Sequence, residues 1–393
     1  MDRRRFLKQT GIITAGTLLV PSFLRANGLL NGFERNGKRL VIIQLSGGND
    51  GLNTVVPYGI DAYHQNRNSL AYQLSEILKV NEKFGLHPAL KGFYDLQQKG
   101  HLSIINSVGY PNPNRSHFRS MDIWHTGSDA NEYWSSGWLG RYLDKNCNHA
   151  YEAIEFSGEL SLAMKGEHQA GIAISNPNAF YKTMNSEFFQ QMTKPKSKNE
   201  ELNYVYRIFN DTRNSAEYIY DQYRLKENRS DYANHNFGQQ LKKIATLIKS
   251  DIRTPVFYAS LGGFDTHVNQ KNSQNRLLGQ LDSGVSDFIN DLSKEGLMKD
   301  TTVLIFSEFG RRLKENASRG TDHGAANALF IIDSDLSSNA HSLNNIDLDN
   351  LEKGDPKFQV DFRSIYQELL SHRLKVDAKA VLGKTFDGIG LFA

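Results

Sequence analysis

Five short runs along the chain are apolar without alternation: Leu40–Leu45, Leu102–Asn106, Pro255–Leu261, Val303–Ser307 and Ala328–Asp333. β-Branched and aromatic residues dominate them, and a strand that is apolar on both faces is one buried between two layers, as in a parallel sheet. Between these runs the apolar positions recur at helical spacing. Residues 88–99 carry Leu90, Phe93 and Leu96 on one face, with Pro88 in the first turn and Gly100 as the stop. Phe118–Thr126 reads as a helix with its N-cap near Ser116, Phe237, Leu241, Ile244 and Ile248 follow a 4-3-4 spacing, and Leu277 to Leu292 is helical by period. Strand, helix and strand in this succession imply βαβ units and an α/β fold.

At 393 residues the chain exceeds the single-core size of about 250–300 residues, so one large domain with an insertion, or two domains, is expected. The stretch at about 127–235 fits an insertion or cap: Asn, Ser and Lys clusters such as Thr193–Glu201 alternate with aromatic-bearing segments, which suggests an α-rich unit with exposed loops. Trp124, Trp134 and Trp138 are read there first as core packing, with a cleft lining as the alternative.

The first residues change the picture of where the protein works. Asp2-Arg3-Arg4-Arg5-Phe6-Leu7-Lys8 matches a twin-arginine signal with Arg3-Arg4 as the pair, followed by a short, weakly apolar stretch, Gly11–Leu24. Residues 1–26 are therefore set apart from the fold, with cleavage near Ala26 or retention as an anchor both open. The twin-arginine translocase is the expected partner during export, and a periplasmic or otherwise exported location follows. Removing residues 1–26 leaves 41 basic against 42 acidic residues, a net charge of −1, which argues against nucleic acid as a partner. No run in the body approaches the roughly 20 apolar residues of a membrane span. A single cysteine, Cys147, excludes an internal disulfide and reads as a small buried residue.

Chemistry-bearing residues gather where the apolar runs end. Leu40–Leu45 runs into Ser46-Gly47-Gly48-Asn49-Asp50-Gly51, where glycines let the backbone turn and a ligand approach. The spacing is not that of a dinucleotide fingerprint. Pro255–Leu261 ends in Gly262-Gly263-Phe264-Asp265-Thr266-His267, and Val303–Ser307 ends at Glu308. A polar, Gly-containing loop then carries Asp322-His323-Gly324 to the last strand. Open α/β sheets bind ligands at strand ends, so Asp50, Asp265, His267, Glu308, Asp322 and His323 form a candidate metal set. Bland alternatives stand beside each: an Asx turn for Asp50, an ion pair with Arg311 or Arg312 for Glu308, and a loop bond for His323. Ser116 likewise reads either as a helix cap or as a hydroxyl placed in the positive field of a helix N-terminus.

The leader, SGGNDGLNTVVPY, RSHFRSMDIWHTGS, GGFDTH, SEFGR and GTDHG together resemble the bacterial family labelled domain of unknown function 1501, over nearly the whole chain. That family in turn resembles the alkaline phosphatase and sulfatase superfamily. The resemblance implies a large, mostly parallel sheet between helices over residues 38–393, with a metal site at the strand ends. By this likeness Asp50 matches the first-strand ligand, Ser116 the nucleophile, Asp265 and His267 a second pair, Glu308 the Asp of an Asp-His dipeptide, and His323 the last histidine. Glu308-Phe309 replaces that dipeptide and Asp265-x-His267 a longer spacing, so one imidazole is missing and zinc, magnesium, calcium and manganese all stay open. The implied activity is metal-dependent hydrolysis of a phosphate or sulfate ester of a small molecule or glycan. Ser116 would attack, and Arg115 or Arg311 would neutralise the anion. A non-catalytic, metal-binding envelope partner or scaffold is the competing expectation.

Overall fold

The computed structural model describes residues 37–192, 200–338, 340, 342–343 and 345–392. The twin-arginine segment lies outside the described residues. Nine strands build one sheet, and eleven strands need names here: β1 (Arg39–Ser46), β2 (Leu102–Gly109), β3 (Ala153–Glu155), β4 (Ile172–Ala173), β5 (Val256–Gly262), β6 (Thr301–Phe306), β7 (Arg311–Glu315), β8 (Thr321–His323), β9 (Asn327–Ile332), β10 (Ser342–Leu343) and β11 (Val360–Asp361). The sheet runs β10-β2-β9-β6-β1-β5-β3-β4, with β11 also on β2, and β7 and β8 form a separate pair. All its pairings are parallel except those of β9, which is antiparallel to both β2 and β6. The fold is thus α/β with a large, mostly parallel sheet.

The continuous apolar runs have the cause read from sequence. In β1, Val41, Ile43 and Leu45 face one core and Leu40 and Ile42 the other, and all five are buried. The first core is closed by α1 (Lys91–Gln98), α3 (Asn236–Lys249) and α4 (Gln270–Lys294), through residues such as Phe93, Leu241, Ile244, Leu281 and Phe288. The second is closed by α2 (His117–Thr126), the helix Trp138–Asn146 and α5 (Phe362–Glu368). Trp124 stacks there between Phe306 and Phe362, at 4.9 and 4.3 Å, and Trp138 on Tyr366 at 4.1 Å, so these two tryptophans are core.

Three local expectations shift. Residues 88–90 precede α1 because Leu90 is its N-cap, so Pro88 lies outside the first turn. The stretch 127–235 supplies β3 and β4 to the sheet edge before its helices at Pro177–Met184, Glu187–Met192 and Glu200–Leu225. The segment expected as a polar loop before the last strand folds as the β7–β8 hairpin, with Arg311 opposite His323. Among the described residues no helix is long and apolar enough to cross a membrane.

Candidate metal centre

The carboxyl ends of β5 and β6, the start of α2 and the β7–β8 hairpin meet at one edge of the sheet. Gly47 makes the approach possible: at φ +118° its missing Cβ would stand 2.5 Å from the Asp265 backbone nitrogen. Gly320 does the same for the hairpin, since a Cβ there would lie 2.2 Å from the His267 carbonyl carbon.

At the centre is Asp265, whose Oδ1 lies 3.0 Å from His323 Nε2, 3.0 Å from His267 Nε2, 3.5 Å from His117 Nε2 and 2.8 Å from Arg311 Nη2. Ligand atoms of His117, Asp265 and His323 fall within 4.8 Å of one another. His267 Nε2 lies 3.0 Å from His323 Nε2, and its Nδ1 is 3.4 Å from Asp322 Oδ1.

Two of the rings have their tautomer fixed from behind. Glu308 Oε1 accepts from His117 Nδ1 at 2.8 Å, and the Arg115 carbonyl accepts from His323 Nδ1 at 2.8 Å. A carboxylate and a carbonyl can only accept here, so each Nδ1 carries hydrogen and each neutral ring turns an Nε2 lone pair toward Asp265. His117 Nε2 is buried and has no hydrogen-bond partner among the described residues. A buried lone pair left unsatisfied beside a carboxylate and a second imidazole is what a bound cation would satisfy, so the residues fit a metal ion. The bond to Glu308 raises the His117 pKa against the opposing effect of burial. For Asp265 burial works upward, but the hydrogen bond from Arg311 and the positive charge around it outweigh burial and hold the carboxyl at about 2.

The other residues proposed from sequence take different places. Glu308 is buried, and it braces His117 and the Gly47 amide, at 2.9 Å, while Ser307 Oγ donates to its Oε2. Asp50 does not join the converging atoms. Its Oδ2 and Oδ1 pair with Arg67 at 2.5 and 3.0 Å, its Oδ1 accepts from the Leu52 amide, and Gln270 donates to Oδ2. Asx-type capping and a buried ion pair occupy both oxygens, which leaves no lone pair directed outward. Arg311 is fully buried and spends its fork on the carbonyls of Gly47, Gly48, Phe264 and Thr321 and on Asp265. Arg115 pairs with Asp355. Ser116 occupies the N-cap position of α2 and is exposed, yet its side chain makes no cap hydrogen bond.

His117 is the residue that sequence reasoning passed over. The signal was present: Glu308-Phe309 lacks the imidazole expected beside the acid, and RSHF holds one at a helix start. In the structure the Phe309 ring packs 4.8 Å from both His117 and His323, and Glu308 grips the imidazole that arrives from α2.

Comparison with known proteins assigns the family. A model described as "Protein of unknown function (DUF1501)" matches residues 37–332, so the chain belongs to that family. No curated protein sequence matches it. Solved structures with low overall similarity include a protein in the alkaline phosphatase superfamily from Vibrio parahaemolyticus, at 14% identity and TM-score 0.40 over 98% of this chain and 78% of that one. The PsFucS1 sulfatase from Pseudoalteromonas sp. is 11% identical with TM-score 0.42, over 91% and 72% of the two chains. The lipoteichoic acid synthase LtaP from Listeria monocytogenes is 12% identical with TM-score 0.37, over 78% and 67%.

Proposed function

We propose that this chain is an exported, metal-dependent hydrolase of phosphate or sulfate esters. The observation that carries it is the buried His117 Nε2, which has no hydrogen-bond partner among the described residues and faces Asp265 at 3.5 Å beside His323. His117, Asp265 and His323 would hold the ion, with His267 in contact with Asp265 and His323. Imidazole nitrogens with one carboxylate oxygen suit zinc or a similar transition metal better than the all-oxygen shells of magnesium and calcium. Bound there, such an ion would polarise ester oxygens and favour the ionised form of a hydroxyl. Glu308 and the Arg115 carbonyl keep two rings oriented, and Arg311 fixes Asp265 to the backbone of both neighbouring loops.

Ser116, exposed at the start of α2 and next in sequence to His117, supplies the attacking oxygen. Its Oγ forms a bond to phosphorus or sulfur as the bond to the ester oxygen breaks, and the alcohol leaves with a proton. Water then cleaves the Ser116 ester in a second displacement. The export part of the proposal rests on Arg3-Arg4.

One observation favours a second reading. Both arginines expected at the anion are engaged, Arg311 with carbonyls and Asp265, Arg115 with Asp355. A metal-binding envelope protein without turnover would look the same. Elemental analysis of protein purified after export, together with hydrolysis of aryl phosphate and aryl sulfate before and after chelation, separates the two. Turnover that is lost on chelation and restored by zinc is expected. Stoichiometric metal without any turnover would leave the binding reading, and no metal at all would sink both.

A further inference from the structure

The segment from Leu351 to Asp361 lies beyond the family-matched residues 37–332, yet it reaches back to the metal centre. Its far end is sewn into the sheet: β11 pairs in parallel with β2, and the Gln359 amide donates to the Ser107 carbonyl at 2.8 Å. Its near end is held by Arg312, which donates to the Lys353 carbonyl and whose Nε lies 3.3 Å from Asp355 Oδ1. Between these anchors Asp355, with its side chain only 3% exposed, takes the guanidinium of Arg115 on its other oxygen. Arg115 in turn gives its backbone carbonyl to His323 Nδ1. A nearly buried carboxylate therefore fixes the residue whose carbonyl sets the His323 tautomer.

We propose that Asp355 is a positioning residue for the metal centre: by holding Arg115 it keeps the Arg115 carbonyl against His323 Nδ1–H and the His323 Nε2 lone pair turned to Asp265. The consequence for the ion rests on the metal-dependent reading above, whereas the tautomer lock does not. Partners that orient ligating imidazoles typically change metal affinity 10–100-fold when removed. Arg115 and Arg312 keep about a third of their side chains in water, so either can turn outward when Asp355 is truncated.

The test is nitrogen NMR of the histidine rings in the metal-free full-length protein, at a pH where the ring is neutral, followed by zinc titration. In the wild type His323 should be held as the Nδ1–H form. Asp355→Ala and Arg115→Ala should each release it to a mixture of tautomers and weaken zinc 10–100-fold. Asp355→Asn, which keeps an acceptor for Arg115, should retain most of the lock. Were Asp355→Ala to fail to fold, Arg115→Ala tests the same pair from its other side. A wild-type tautomer pattern in both alanine variants overturns the proposal. A protein that shows the tautomer change but binds no zinc in any form keeps the lock and removes the metal reading.

Discussion

Two strand ends in this protein carry the same short signature, glycines followed by an aspartate, and come to opposite states. At the end of β1, Asp50 is enclosed with Arg67, Gln270 and the Leu52 amide, and its carboxylate is only 1% exposed. At the end of β5, Asp265 is 48% exposed and shares one oxygen among Arg311 and the imidazoles of His323, His267 and His117. The first carboxylate is answered by groups that only donate. The second is answered by Arg311 and by His117 and His323, whose Nδ1–H forms turn Nε2 lone pairs toward it, so its surroundings suit a further cation. What separates the brace from the proposed binding site is thus the donor or acceptor character of the partners, because the acid and its glycines are common to both.

The largest test breaks the brace. Asp50→Ala leaves Arg67 buried and unpaired, and should cost about 3–5 kcal/mol in denaturant titration, equally with zinc or with chelator. Asp265→Asn should cost less than that without metal, since the amide keeps an oxygen for the buried Arg311 and four carbonyls also hold that guanidinium, but should lose the zinc-dependent increment, about 2.7 kcal/mol at a hundredfold excess over Kd. If Asp50→Ala instead removed only the zinc increment, the two regions would have exchanged roles.

A smaller effect sharpens the contrast through pH. His87 is buried near the Asp50 region; burial, aided by Lys271, lowers its pKa to about 4 from 6.5. The unfolded chain then takes up a proton first as pH falls, so stability is lost between pH 6.5 and 4, by about 3 kcal/mol for this ring. His125, lowered by burial to about 4, acts in the same window. In chelator, His87→Gln should therefore flatten the loss of stability between pH 6.5 and 4. An unchanged slope would mean that the closed region does not resist protonation as described.

The smallest expected change is at Ser116. A capping hydroxyl costs about 0.5–2 kcal/mol when truncated, but this one makes no cap bond, so Ser116→Ala should stay within about 0.5 kcal/mol of wild type. Any turnover should vanish while zinc content is kept. Loss of activity in step with loss of stability would return the residue to a structural role.

Much of this was readable from the chain because doubly buried strands announce themselves: β1, β2, β5, β6 and β9 are each a run with no polar face to hide. Their direction was not readable. β9 is antiparallel because the β7–β8 hairpin, and not a crossover helix, leads into it, and that hairpin looks like loop in composition. At two and three residues, β4 and β3 are too short to leave a pattern. Asp265 and His267, by their strand-end position, and His323, by the Asp-His-Gly loop before the last strand, could be picked as candidates from the chain, and the structure places them side by side. Asp50 could not be told from them, since Gln270 stands 220 positions away. His117 was hidden for a similar reason: its partner Glu308 is 191 positions distant, and a helix-start histidine means little until that pairing is known.

The β7–β8 hairpin also bears on the order in which the molecule assembles. Arg311 and His323 close on each other over a dozen positions, a loop that forms cheaply, whereas His117 can meet Glu308 only after the chain between α2 and β6 has been gathered. The proposed cation site would therefore come into existence late in folding, from parts that diffuse separately in the unfolded chain. An ion that recognises only the finished arrangement has nothing to grip in the transition state. Zinc should then leave the refolding rate nearly unchanged and slow unfolding, making the metal a latch on the finished protein and not a template for it.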